Sequence, residues 1–171
     1  MICSEFSSSS QNRVCEVRDT TKEQLAMENP RFESIGNGNF VKIIATFDNA
    51  GRAEPIGYAQ GMIEGDGIGL LGDIHVQEQI LVPGGRLNLK RISFSPRRQG
   101  LGSDLLARFE TEMKSRGVTR IYGHLPNLST EVIGCLTNWY QKNGYDVNLS
   151  PAPGEVPHGF RGKIFKLIDH I

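Results

Sequence analysis

Neither sign of charge is in excess in this sequence: Lys plus Arg and Asp plus Glu each number 19 among 171 residues. Nucleic-acid and anionic-membrane partners usually draw on a basic excess, so neither is expected. No run of about 18 apolar residues is present to span a bilayer. Cysteine is scarce. Cys3, Cys15 and Cys135 are scattered, with no C-x-x-C pair and no Cys/His cluster, so no metal site is expected and the three read as reduced thiols in a cytoplasmic protein. Residues 1–13 carry Ser7-Ser8-Ser9-Ser10 and no apolar leader core, and are expected to be a flexible tail. In that setting the N-x-S sequons at Asn127 and Asn148 carry no glycosylation meaning.

What is present fits one domain over residues 14–171, with no internal repeat and no low-complexity linker. Glycine is plentiful, at 20 residues, which suits many turns. Val14 to Arg18 alternates weakly as a strand, and Thr21 to Asn29 reads as a short helix ending before Pro30. Phe40 to Phe47 and Pro55 to Glu64 form a plausible antiparallel hairpin around Asp48-Asn49-Ala50-Gly51. Residues 65–85 are less regular, with a strand expected over Asp73 to Val82. Leu87, Leu89, Ile92 and Phe94 make a strand whose alternation slips at Lys90-Arg91, as a bulge would cause.

The pattern then changes period. Leu101, Leu105, Phe109 and Met113 recur every fourth residue and Gly117 stands as a stop, which makes this the clearest helix. Val118 to His124 is a short strand. Val132, Leu136, Trp139 and Tyr140 share one face of a second helix, capped by Ser129 and stopped by Gly144. Tyr145 to Leu149 and Lys163 to Ile168 close the order as strands. The class is α+β, a mixed and mostly antiparallel sheet flanked by helices. Glu110 and Lys114 read as an exposed i,i+4 pair, and His158 and His170 have no ligand spacing.

Chemistry concentrates at Phe94-Ser95-Pro96-Arg97-Arg98-Gln99-Gly100-Leu101-Gly102-Ser103. A strand stops at a proline, a basic turn follows, and two glycines open an amphipathic helix. The first turn of a helix leaves N–H groups unpaired and partly positive, and glycines let an anion approach that backbone. Arg97 and Arg98 add full charge, so the turn suits a phosphate or pyrophosphate. No Walker sequence is present. Gly67-Ile68-Gly69-Leu70-Leu71-Gly72 matches the letters of a dinucleotide loop, but the extended-looking Asp73-Ile74-His75-Val76 follows it, so that match reads as coincidence.

Arg97-Arg98-Gln99-Gly100-Leu101-Gly102 resembles the R/Q-x-x-G-x-G/A motif of the GNAT superfamily of N-acetyltransferases. Ile92-Ser93-Phe94-Ser95-Pro96 is similar to the apolar strand ending in x-Pro that precedes it. Asn138-Trp139-Tyr140-Gln141-Lys142-Asn143-Gly144-Tyr145 is similar to the family's later tyrosine segment, and the resemblance spans residues 86–147. It implies the acyl-CoA N-acyltransferase fold with splayed central strands, acetyl-CoA as cosubstrate and an amine acceptor. It further implies pyrophosphate contacts from Arg97, Arg98, Gln99, Gly100, Leu101, Gly102 and Ser103, pantetheine pairing along Ile92, Ser93 and Phe94, and a cofactor contact at Asn127.

For transfer, the acceptor amine must be neutral and the departing thiolate, of pKa about 8.5, benefits from a proton. By the resemblance Tyr140 is the general acid, though its ring also suits the apolar face beside Trp139. The base stays open among Glu64, Asp73, Glu78, His75 and His124. Lys90 and Arg91 stand where relatives often carry a carboxylate. His124, at a strand end that faces the cleft in the family, is the catalytic candidate beside Tyr140. A non-catalytic coenzyme A-binding module is the alternative, and a phosphate binder on Gly67–Gly72 a third reading. The acceptor's identity is not legible, and a homodimer is the expected assembly.

Overall fold

The computed structural model describes residues 30–49, 51–77, 80–83, 91–94 and 100–168. The expected tail, the strand at 14–18 and the helix at 21–29 lie outside these residues. The element order is β1 (Arg31–Ile35), β2 (Phe40–Asn49), β3 (Arg52–Gly65), β4 (Ile68–Val76), β5 (Ile80–Pro83), β6 (Arg91–Phe94), α1 (Leu101–Ser115), β7 (Arg120–Pro126), α2 (Thr130–Lys142), β8 (Asp146–Asn148) and β9 (Phe160–Leu167).

One seven-stranded sheet runs β1-β2-β3-β4-β7-β9-β8, and β5 with β6 forms a separate two-stranded ribbon. Neighbours are antiparallel except β4 and β7, which are parallel. A parallel pair needs a crossover, and α1 supplies it. The expected class, a mixed and mostly antiparallel sheet with helices, is what is found.

Strand parity explains which face is covered. Val41, Ile43 and Ala45 on β2, Ala59 on β3, Leu71 on β4, Ile121 and Leu125 on β7 and Ile164 on β9 are buried. They meet α1 through Leu105, Phe109 and Met113, also buried; each such side chain contributes roughly 1.5–3 kcal/mol. The approach is close at Gly61, where a Cβ would strike the Leu70 carbonyl and come within 2.7 Å of the Phe109 ring. Lys166, of the same parity as Ile164, donates to Glu110 of α1 at 2.7 Å and to the Asn143 carbonyl at the end of α2 at 2.9 Å. Both helices therefore cover one face. Glu110 thus belongs to Lys166 and not to an exposed pair with Lys114; the i,i+4 pair on α1 is Glu112 with Arg116, at 2.6 Å.

Two irregularities shape the sheet. Pro55, which has no N–H to give a ladder, pairs with Thr46 at a register shift. On β4, Leu71 opposes Gly61 while Asp73 opposes Gln60, so Gly72 is an inserted residue. Burial follows the shift: Gly69 and Leu71 are buried below it, Ile74 and Val76 above it.

Ser129 caps α2, its hydroxyl accepting from the Val132 N–H at 3.5 Å. Gly144 ends α2 at φ 84, with its N–H on the Gln141 carbonyl at 3.0 Å. Cys135, read as a reduced thiol, is disulfide-bonded. No helix among the described residues is long and apolar enough to cross a membrane. β1 was not anticipated, and the strand expected over Asp73 to Val82 falls on the end of β4, which starts at Ile68, and on β5.

Candidate active site at the fork of β4 and β7

The parallel ladder between β4 and β7 is short. It pairs Ile68 with Arg120, Gly69 with Ile121, Leu70 with Tyr122 and Leu71 with Gly123, and then stops. Both strands continue, β4 to Val76 still bonded to β3 and β7 to Pro126 still bonded to β9. The edges of Gly72–Val76 and His124–Pro126 that would face each other are left without a shared ladder. This is a V-shaped opening in the middle of a sheet.

α1 presents its N-terminus to the open end of that fork. Leu105 packs at Gly57, which pairs with Val76, whereas Met113 lies lower, at Gly69. Gly100, at φ 81 and with no described residue within 4 Å of a would-be Cβ, starts the helix. That left-handed conformation costs an L-residue roughly 1–2 kcal/mol. The Asp104 N–H donates to the Gly100 carbonyl at 3.0 Å, and among the described residues no side chain caps the first turn. Leu101 and Gly102 are buried and Ser103 half-buried. The helix end thus offers N–H groups and the positive end of its dipole. Arg97, Arg98 and Gln99 lie outside the described residues. Asn127 is exposed, and its N–H donates to the Gly159 carbonyl at 3.1 Å.

One correction concerns the strand at the fork. Ile92, Ser93 and Phe94 were expected to be the splayed strand of the central sheet. They pair instead with β5, Ile80 opposite Phe94 and Val82 opposite Ile92, in the separate ribbon. The strand beside β7 is β4, so the ribbon is inserted between the fork strand and the basic turn. The apparent absence of a carboxylate, read from Lys90 and Arg91, goes with that assignment: β4 carries Asp73.

On the face away from the helices, two polar clusters flank the fork. The Tyr58 hydroxyl donates to Asp73 at 2.7 Å, and the Tyr58 ring stacks on His75 at 5.4 Å. The hydrogen bond to Asp73 pushes the phenol up to about 12, aided by burial and by the carboxylate charge. Lys42 lies over the same ring at 4.5 Å. Across the fork, the Tyr122 hydroxyl donates to Glu64 at 2.6 Å. Burial first, then that bond and charge, raises Tyr122 to about 12. His124 stands edge-on to Tyr122 at 5.6 Å and tilted against Phe160 at 5.5 Å. Burial lowers its pKa below 6.5; Glu64 pulls it up and Lys163 pushes it down. The imidazole is therefore neutral near pH 7 and can accept a proton.

Tyr140 sits on the other side of the sheet, fully buried in the helix-side core. Its ring meets Trp139 at 4.8 Å and Tyr145 at 5.6 Å, both edge-on. The packing role expected for this ring is present. Among the candidate bases, Glu64, Asp73, His75 and His124 share the open face, while Glu78 lies outside the described residues. The tyrosine partners of the two carboxylates, Tyr58 and Tyr122, were missed, because a hydroxyl–carboxylate pair 58 residues apart leaves no local pattern. The segment Gly67–Gly72 is a turn entering strand β4, in keeping with its dismissal as a dinucleotide loop.

No protein-family model matches the sequence, and no curated protein matches it. Solved structures do match in shape. A Klebsiella pneumoniae protein assigned as an acyl-CoA N-acyltransferase aligns over 75% of this chain and 72% of its own, at 16% identity and TM-score 0.52. A GNAT-family acetyltransferase from Staphylococcus aureus aligns over 76% and 68%, at 14% identity and TM-score 0.51. A Bacillus anthracis protein assigned as a streptothricin acetyltransferase, solved with acetyl coenzyme A, aligns over 79% and 66%, at 17% identity and TM-score 0.50. By strand order, fork and shape, the chain has the GNAT acyl-CoA N-acyltransferase fold.

Proposed function

We propose that this chain is an N-acetyltransferase that moves an acetyl group from acetyl-CoA to a primary amine within a ternary complex. The observation that carries the reading is the fork of β4 and β7 with the uncapped N-terminus of α1 at its open end. Such an opening takes an extended ligand by backbone pairing, and the helix end takes its diphosphate. The free edge of Gly72–Val76 is the pairing edge, in place of Ile92–Phe94. The N–H groups of Leu101, Gly102 and Ser103 receive the diphosphate, with Arg97, Arg98 and Gln99 supplying charge and donors. Asn127, at the far lip of β7, is a further contact.

The amine nitrogen attacks the thioester carbonyl carbon, forming the C–N bond. His124, neutral because of its partial burial, takes the proton released from nitrogen. Collapse of the tetrahedral intermediate breaks the C–S bond, and Tyr140 protonates the leaving sulfur. Base and acid then act from opposite faces of the sheet. A coenzyme A-binding module without turnover is the alternative, and it would keep the α1 site while losing this chemistry. A cytoplasmic setting belongs to the reading on composition.

Thiol release from acetyl-CoA in the presence of pooled primary amines and peptides, beside calorimetric titration of acetyl-CoA, tests the reading. Binding with amine-dependent release is expected. Binding without release selects the non-catalytic module, and no binding overturns both.

A further inference from the structure

An apolar row crosses the open face. Register pairs run Phe40 to Met62, Met62 to Leu70, Leu70 to Tyr122 and Tyr122 to Phe165, and directly paired residues point to the same side. Their parity is opposite to that of Val41, Leu71, Ile121 and Ile164, which are buried, so the row looks away from both helices. Met62 is 51% exposed, Phe40 39% and Phe165 36%. Among the described residues neither helix covers this face, and such a face is ordinarily polar, whereas five apolar partners in register make a contiguous patch of the kind that marks binding.

The row passes directly below the fork, because Leu70–Tyr122 is the pair before the last, Leu71–Gly123. Two residues above it on β7, and so on the same side, stands His124. Glu64, held by Tyr122, adds negative charge next to that imidazole. Three other charges on this face are engaged, Lys42 on the Tyr58 ring, Asp73 by Tyr58 and Lys163 by Glu155 at 3.0 Å, while Glu33, Arg120 and Asp146 share its parity farther from His124. An occupant that suits both features carries a cationic amine at one end and an apolar body at the other. Strands stand about 4.8 Å apart, so a body reaching from Tyr122 across Leu70 to Met62 spans roughly 10 Å.

Resting on the acetyl-transfer reading, we infer that the acceptor is an amphiphilic primary amine, with its alkyl or aryl body along Tyr122, Leu70 and Met62 and its nitrogen at His124. A polyamine, charged along its length, would meet apolar carbon there and gain little.

Calorimetric titration of the protein with 4-phenylbutylamine, spermidine and propylamine, with and without coenzyme A, tests this. The phenylbutyl amine is expected to bind at least about tenfold more tightly than either comparator, as burial of its extra carbons implies. Met62→Ser, at an exposed site with the fold checked by circular dichroism, is expected to weaken it about fivefold and leave acetyl-CoA affinity unchanged. Spermidine or propylamine binding as tightly, or no effect of Met62→Ser, overturns the inference. So does a dimer that Met62→Ser dissociates, since a second copy would then cover the row. A protein that binds the amine but not acetyl-CoA retains this site and fails the transfer reading alone.

Discussion

Tyr140 and Tyr145 are tied together twice at the end of α2. The Tyr145 N–H donates to the Tyr140 carbonyl at 3.0 Å, and their rings meet edge-on at 5.6 Å. The turn at Gly144 makes both contacts possible, so the helix stop also fixes the ring proposed as the acid. Tyr140→Phe keeps the ring and removes only the hydroxyl. Turnover is expected to fall at least about tenfold with acetyl-CoA affinity nearly unchanged. Gly144→Ala strains the turn at φ 84 and is expected to cost about 1 kcal/mol of stability by chemical denaturation. Unchanged turnover in Tyr140→Phe would leave that ring with packing alone.

Gly100→Glu tests the helix end. A carboxylate there opposes the diphosphate with like charge and strains φ 81. Acetyl-CoA binding is expected to be lost by calorimetry. Gly100→Ala, which adds strain without charge, is expected to weaken binding less.

The pH dependence follows from His124, whose native pKa lies below 6.5, chiefly through burial. Between those two values the unfolded chain binds a proton that the native chain does not. This residue's contribution to stability is therefore full above pH 6.5 and fades as the pH falls through the native pKa. The acid limb of kcat/KM is expected below 6.5, and Glu64→Gln is expected to move it lower still, since Glu64 favours the cation. A limb that does not move in Glu64→Gln, or that survives in His124→Gln, argues for another base.

Tyr58 titrates at about 12 mainly because its hydroxyl donates to Asp73. Asp73→Asn is expected to bring that phenol down towards 10, read as earlier tyrosinate absorbance on raising the pH. The Tyr122 phenol, bound to Glu64 instead, should keep its elevated value and serve as the internal reference.

The elements with unbroken periods were legible in the sequence. α1 and α2, with four-residue apolar spacing and glycine stops, appear where expected, as does the β2–β3 hairpin. The strand at the fork was not legible, for a physical reason: the inserted Gly72 breaks the two-residue alternation of Ile68–Val76. Sequence reasoning therefore placed the fork strand at Ile92–Phe94, next to the basic turn. The α1 end of the site was readable because it is local. The open-face pairs, Tyr58 with Asp73 and Tyr122 with Glu64, were not, because each joins side chains of two different strands and leaves no local pattern.

That single inserted glycine also decides which chemistry reaches the substrate side. Were Gly72 paired in the ladder instead of inserted as a bulge, β4 would keep the alternation of its lower half, turning Asp73 and His75 into the core and Ile74 and Val76 out to water. A strand running through Gly72 without the bulge would be inverted along half its length, with two ionisable groups facing Leu105 and its neighbours. The bulge at Gly72 thus sets polarity at the fork while the residue offers no side chain of its own.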